Sequence, residues 1–116
     1  MLIKPLATVL ISLLAVQQAI AQQPQPSVQI IAQAYDRCMA TYAVRLTHTA
    51  ATDEDIFMQA TQSCLSLKGQ LRSAINTQLP PAQATEILQS IDAQAEPNFM
   101  TMLARIRSDR ARRAGR

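Results

Sequence analysis

The sequence predicts an all-α fold: a disulfide-stapled antiparallel helical hairpin with one or two further helices packed on it as a small bundle. Three observations carry the expectation. The 116 residues include no tryptophan and only two glycines, Gly69 and Gly115, and are rich in alanine and glutamine, a composition that favours helix over sheet. Apolar residues recur every three or four positions from residue 28 onward. The two cysteines, Cys38 and Cys64, each lie on such an apolar stripe.

The N-terminal residues read as an export signal. Lys4 precedes an apolar run over residues 6–16, and Ala19-Ile20-Ala21 supplies the small-x-small pattern that signal peptidase cuts, so cleavage is expected between Ala21 and Gln22. The apolar run is shorter than the roughly 20 residues that span a bilayer core, which favours a cleaved signal over an anchor. The expected organisation is therefore a signal peptide over 1–21, a flexible proline-broken leader over 22–26, a helical domain over 27–106 and a basic tail over 107–116. An oxidising compartment, periplasmic or extracellular, would let the cysteines pair. The remaining 95 residues form one domain at most, small enough for a covalent staple to matter.

Ser27 reads as the N-cap of a first helix over 27–47, with Val28, Ile31, Tyr35, Cys38, Tyr42 and Leu46 on one face. A short connection through His48, Thr49, Ala50 and Ala51 follows. Thr52, with Asp55 three residues on, makes a variant capping box, and a second helix is expected from about 53 to 78. Its stripe is Phe57, Ala60, Cys64, Leu67, Leu71 and Ala74 or Ile75, and Leu79-Pro80-Pro81 stops it. Cys38 and Cys64 each lie thirteen residues from Ala51. In an antiparallel hairpin, residues equidistant from the turn face each other, so the two are expected to pair. Pro81 suits the first turn of a third helix with Ala84, Ile87, Leu88, Ile91 and Ala95 in period. The pattern continues in phase past Pro97 through Phe99, Met102, Leu103 and Ile106, and a break is expected near Glu96 because an interior proline costs about 3 kcal/mol.

Charge divides the chain. Residues 22–104 carry four cations against seven acids, a net of −3, whereas residues 105–116 carry six arginines against Asp109, a net of +5. The basic isoelectric point describes the last segment and gives no ground for nucleic-acid binding by the whole domain, and no aromatic residue sits among the arginines to stack on a base. Arg105, Arg107, Arg110, Arg112, Arg113 and Arg116 form a candidate anion-binding set. The same residues are also accounted for as a helix end in which Asp109 pairs with Arg105, Arg112 or Arg113. His48, the single histidine, has no cysteine or acid at ligand spacing, so no metal site is expected. Asp53-Glu54-Asp55 is explained by the positive end of a helix dipole, without the spaced oxygen ligands of a calcium loop. The cysteines, with 25 residues between them and mid-helix, lack the C-x-x-C arrangement of redox catalysts, and no catalytic residue, metal or cofactor is expected.

The run Tyr35-Asp36-Arg37-Cys38 with Ala43, followed by Ala60-x-x-x-Cys64, resembles a loose group of small exported proteobacterial helical proteins with one cysteine pair. The resemblance covers about residues 30–75 and implies only that the Cys38–Cys64 bridge is structural. In size and single-disulfide helical plan the chain is similar to periplasmic acid-stress chaperones, without a shared motif. The functional expectation is a non-enzymatic exported envelope protein that binds another protein, as accessory subunit, inhibitor or chaperone. The alternative is a binder of anionic membrane surface through the arginine-rich segment, and an unrecognised enzyme ranks third.

Overall fold

The structure, a computed structural model, describes residues 26–115, and these are helical apart from short connections. The expected signal peptide, the expected cleavage between Ala21 and Gln22, most of the expected leader and Arg116 lie outside the described residues. Helix α1 runs Val28–Leu46, α2 Asp53–Ser63, α3 Leu65–Gln78 and α4 Pro81–Ala114.

The local signals explain the boundaries. Ser27 Oγ accepts from the Ile30 amide at 3.2 Å, capping α1, and Thr52 Oγ1 accepts from the Asp55 amide at 3.2 Å, capping α2. The three acids of the α2 first turn lie against the positive end of its dipole. Pro80 cannot donate to the α3 ladder, and Pro81 opens α4 at the position where its missing N–H costs nothing.

The expected second helix is divided. At Cys64 the backbone leaves helical geometry (φ −103°, ψ 14°), separating α2 from α3, although the Cys64 amide still donates to Ala60 O at 3.0 Å and its carbonyl still accepts from the Lys68 amide at 3.0 Å. The deviation falls on the residue whose sulfur is bonded across to Cys38 of α1, with Cα atoms 6.0 Å apart. Cys64 is fully buried and Cys38 half-buried. The bridge joins the two hairpin arms as expected, but off centre: Cys38 lies eight residues before the end of α1 and Cys64 eleven after the start of α2. Ala43 and Ala60, both fully buried, are the small residues that let the arms approach closely beside it.

The break expected near Glu96 is absent. Helix α4 passes through Pro97 as one helix of 34 residues, about 51 Å long. Pro97 leaves the carbonyl four residues back, on Ala93, without its intrahelical donor. Both residues are exposed, so water can take that carbonyl and the proline is tolerated on the solvent side. The in-phase stripe supplies the compensating attraction, since Phe99 and Leu103 beyond the proline are buried in the core.

The apolar interior forms two clusters. One gathers Met39, Ala43, Ile56, Ala60, Cys64, Phe99 and Leu103, with the Phe57 and Phe99 rings tilted at 5.3 Å. The other gathers Leu71, Ile75 and Ala84, ringed by half-buried side chains including Val28, Ile31, Leu79, Ile87 and Leu88. Tyr35 packs against both.

Candidate functional site

Two features of the surface are built by more than one helix. The first is a groove of about 410 Å³ between α1 and α4. Its apolar walls come from Tyr35 and Met39 of α1 and from Ile91, Ala95, Phe99 and Met102 of α4. The α4 residues recur at helical spacing along three turns. Ser90, Gln94 and Asn98, four residues apart, run as a polar rim, and Asp36 is the charged residue of the lining. The Tyr35 hydroxyl is held above its ordinary pKa, first by burial and then by the negative charges of Asp36 and Asp92, so that end of the groove is acidic in character. Asp92 is held below its ordinary value first by the hydrogen bond it accepts from Arg72 at 2.8 Å, with burial acting the other way and the charges of Arg72 and Lys68 adding to the lowering.

The second feature is the corner where the α4 C-terminus meets the α1–α2 connection. Arg110 donates to the Thr47 carbonyl at 3.2 Å and to Thr47 Oγ1 at 2.8 Å. It thereby caps the negative end of α1 from another helix. Its Nη2 also lies 3.1 Å from His48 Nε2, and because a guanidinium only donates, that ring nitrogen is the acceptor. Arg107 pairs with Asp53 at the start of α2, and Arg112 pairs with Asp109 one turn back.

These contacts sort the candidate residues. Of the anion-binding set, Arg107, Arg110 and Arg112 are engaged within the chain, while Arg105 and Arg113 are exposed without an ion pair or hydrogen bond among the described residues. Residues 107–114 continue α4. Asp109 takes Arg112 as its partner from the three arginines considered. His48 is exposed beside the turn, and among the described residues no group of three or more metal-ligating side chains is brought together. Asp53, Glu54 and Asp55 remain the first turn of α2. No described helix is long and apolar enough to cross a membrane.

Sequence reasoning missed the groove and the corner. Both depend on which helix lies beside α4, and periodicity gives a helix's apolar face but not its neighbour. The alternation of Ser90, Gln94 and Asn98 with Ile91, Ala95 and Met102 was the available signal of a half-open face. Comparison with family models, with curated proteins and with solved structures finds no match to this chain.

Proposed function

We propose that this is an exported, non-enzymatic envelope protein that acts by binding another protein, and that the α1–α4 groove is the surface it uses. The observation that carries the reading is the groove's make-up: a three-turn apolar strip with a row of neutral polar side chains along it. Such a strip accepts the apolar edge of a partner helix or strand while the rim satisfies its polar flank. Met39 and Met102 supply flexible, polarisable walls that adapt to a side chain they must enclose. Export is supported by the reading of residues 1–21 and by the Cys38–Cys64 bridge, since disulfides persist in oxidising compartments.

Photo-crosslinking groups placed at Gln94 and at Asn98 in the producing cell test the reading, with Gln59 as an exposed position outside the groove lining. A discrete protein adduct from the two rim positions and none from Gln59 is the expected result. Equal labelling from all three, or none, overturns it. The second reading, attachment to anionic lipid, draws on Arg105 and Arg113. Their joint replacement by glutamine leaves the Arg107 and Arg110 contacts in place and should abolish vesicle binding if that reading holds.

A further inference from the structure

The face of α1 that points away from the core carries two large exposed apolar side chains, Ile30 at 61% and Val44 at 47% of full exposure. Seven residues from each, midway between them, stands the exposed Arg37. At 1.5 Å per residue this stripe of apolar, cationic, apolar groups is about 21 Å long. A shallow depression formed by Arg37, Ala40, Thr41, Val44 and Arg45 flattens the same face.

The α1–α4 groove has the complementary make-up, apolar walls with one acid. Its α4 wall runs from Ser90 to Met102, about 18 Å, and Asp36 is the one acid in a lining whose apolar members include Ile91 and Met102. Tyr35, whose hydroxyl is held above its ordinary pKa first by burial and then by Asp36 and Asp92, lies beside that acid in the lining. The other exposed apolar pair, Met58 and Leu65, has no cation between its members and so offers no match to Asp36.

We propose that the outer face of α1 in one copy of this chain seats in the α1–α4 groove of a second copy, with Arg37 paired to Asp36. The proposal takes its groove from the protein-binding reading above, and names a second copy as an occupant. Because the two surfaces differ, the contact is heterologous: it propagates head to tail, or closes only if the rotation allows a ring. A stripe of this size lies at the small end of specific interfaces, so association is weak and depends on concentration. In an oligomer the groove is shared between copies and an outside partner, so self-association would compete with partner binding.

Sedimentation equilibrium of the oxidised protein from roughly 10 µM to roughly 1 mM tests it. The wild-type chain should associate across that range, and less so at high salt. Arg37→Glu and Asp36→Lys, both at exposed positions, should each lower the association constant about tenfold or more by setting like charges together. An equimolar mixture of the two variants should associate again, because each groove then finds a face of opposite charge. A wild-type chain monomeric throughout overturns the proposal and leaves the partner reading to the crosslinking result. Association that neither variant weakens, or that the mixture fails to restore, overturns the pairing. Circular dichroism of each variant confirms that helix content is retained.

Discussion

The two apolar clusters occupy opposite halves of the bundle and are secured differently. The cluster around Cys64 has a covalent bond between α1 and the α2–α3 junction, an aromatic pair and the arginine corner at its outer end. The cluster around Ile75 has only apolar contact, plus an exposed ion pair between Arg72 and Asp92 and a hydrogen bond from Gln78 Nε2 to the Pro26 carbonyl at 2.9 Å. Its buried members are few and its border is a ring of half-buried aliphatics. In a domain this small, the half with less buried apolar surface and no staple opens first. Tyr35 spans the boundary, so the two halves are coupled through one side chain and through α1 and α4 themselves.

Removing the staple is the largest test of that contrast. Replacing Cys38 and Cys64 together by alanine should cost about 3.5 kcal/mol on the chain-entropy estimate for a loop of this length. That is a large part of the net stability of a small domain. Urea denaturation of the oxidised wild type against the double variant measures it. If the stapled half owes its order to the bridge, hydrogen exchange in α2 should rise to the level of α3 in the variant. Unchanged exchange in α2 would mean that Ile56, Phe99 and Leu103 hold it without covalent help.

Core truncation sharpens the same comparison. Leu103→Ala and Ile75→Ala each remove a fully buried side chain and should each cost about 2–5 kcal/mol. The difference is expected in what opens. With the bridge intact, Leu103→Ala leaves α1 and α2 joined, whereas Ile75→Ala should release α3 and the first half of α4 below the global transition, seen as early loss of amide protection there. Identical protection patterns in the two variants would make the bundle one cooperative unit.

Most of the architecture was legible before any coordinates, and the exceptions have identifiable causes. Caps at Ser27 and Thr52, the stop at Pro80 and the pairing of Cys38 with Cys64 are local or follow from hairpin symmetry, and sequence carries both. The split at Cys64 was not visible because no breaker residue sits there; it coincides with a tertiary bond. The uninterrupted α4 reversed an expectation drawn from Pro97 alone, since the cost of that residue fell on an exposed carbonyl while the apolar stripe stayed in phase. The stripes were placed slightly off centre. Met39, Ala43 and Ile56 are buried, while the expected Cys38, Tyr42 and Phe57 lie half-buried at the edges: the buried face is rotated by one residue from the expected stripe, a shift that three- and four-residue spacing leaves open. The groove and the arginine corner join residues more than fifty positions apart, and single-sequence periodicity has no access to such pairs.

A smaller effect is expected within the stapled half. Thr61 Oγ1 is buried without a hydrogen-bond partner, unlike Thr41, Thr77, Thr85 and Thr101, each of which donates to the carbonyl four residues back. Thr61→Val keeps the branched shape and removes the unsatisfied hydroxyl, so a gain of about 1 kcal/mol is expected in urea denaturation. A loss would show that the hydroxyl finds a partner in solution.

The smallest expected effect is on the other half and depends on pH. Arg72 donates to Asp92 across α3 and α4, and holds the folded-state pKa of Asp92 below its ordinary value. The unfolded chain therefore binds that proton more readily than the folded one. The stabilisation is fully present above the ordinary carboxylate value of about 4 and is lost as the pH falls through the lower folded value. Both side chains are more than a third exposed, at 41% and 47%, so solvent screening limits the pair to under about 1 kcal/mol. Asp92→Asn should reduce stability slightly at pH 7 and should flatten the decline between pH 5 and pH 2 by the same amount, while high salt diminishes the difference. Urea midpoints at pH 7 and pH 3 for both chains read the effect. Since the pair bridges the unstapled half, its loss should raise exchange in α3 and leave α2 unchanged; equal exchange in both would show that the halves share their electrostatics.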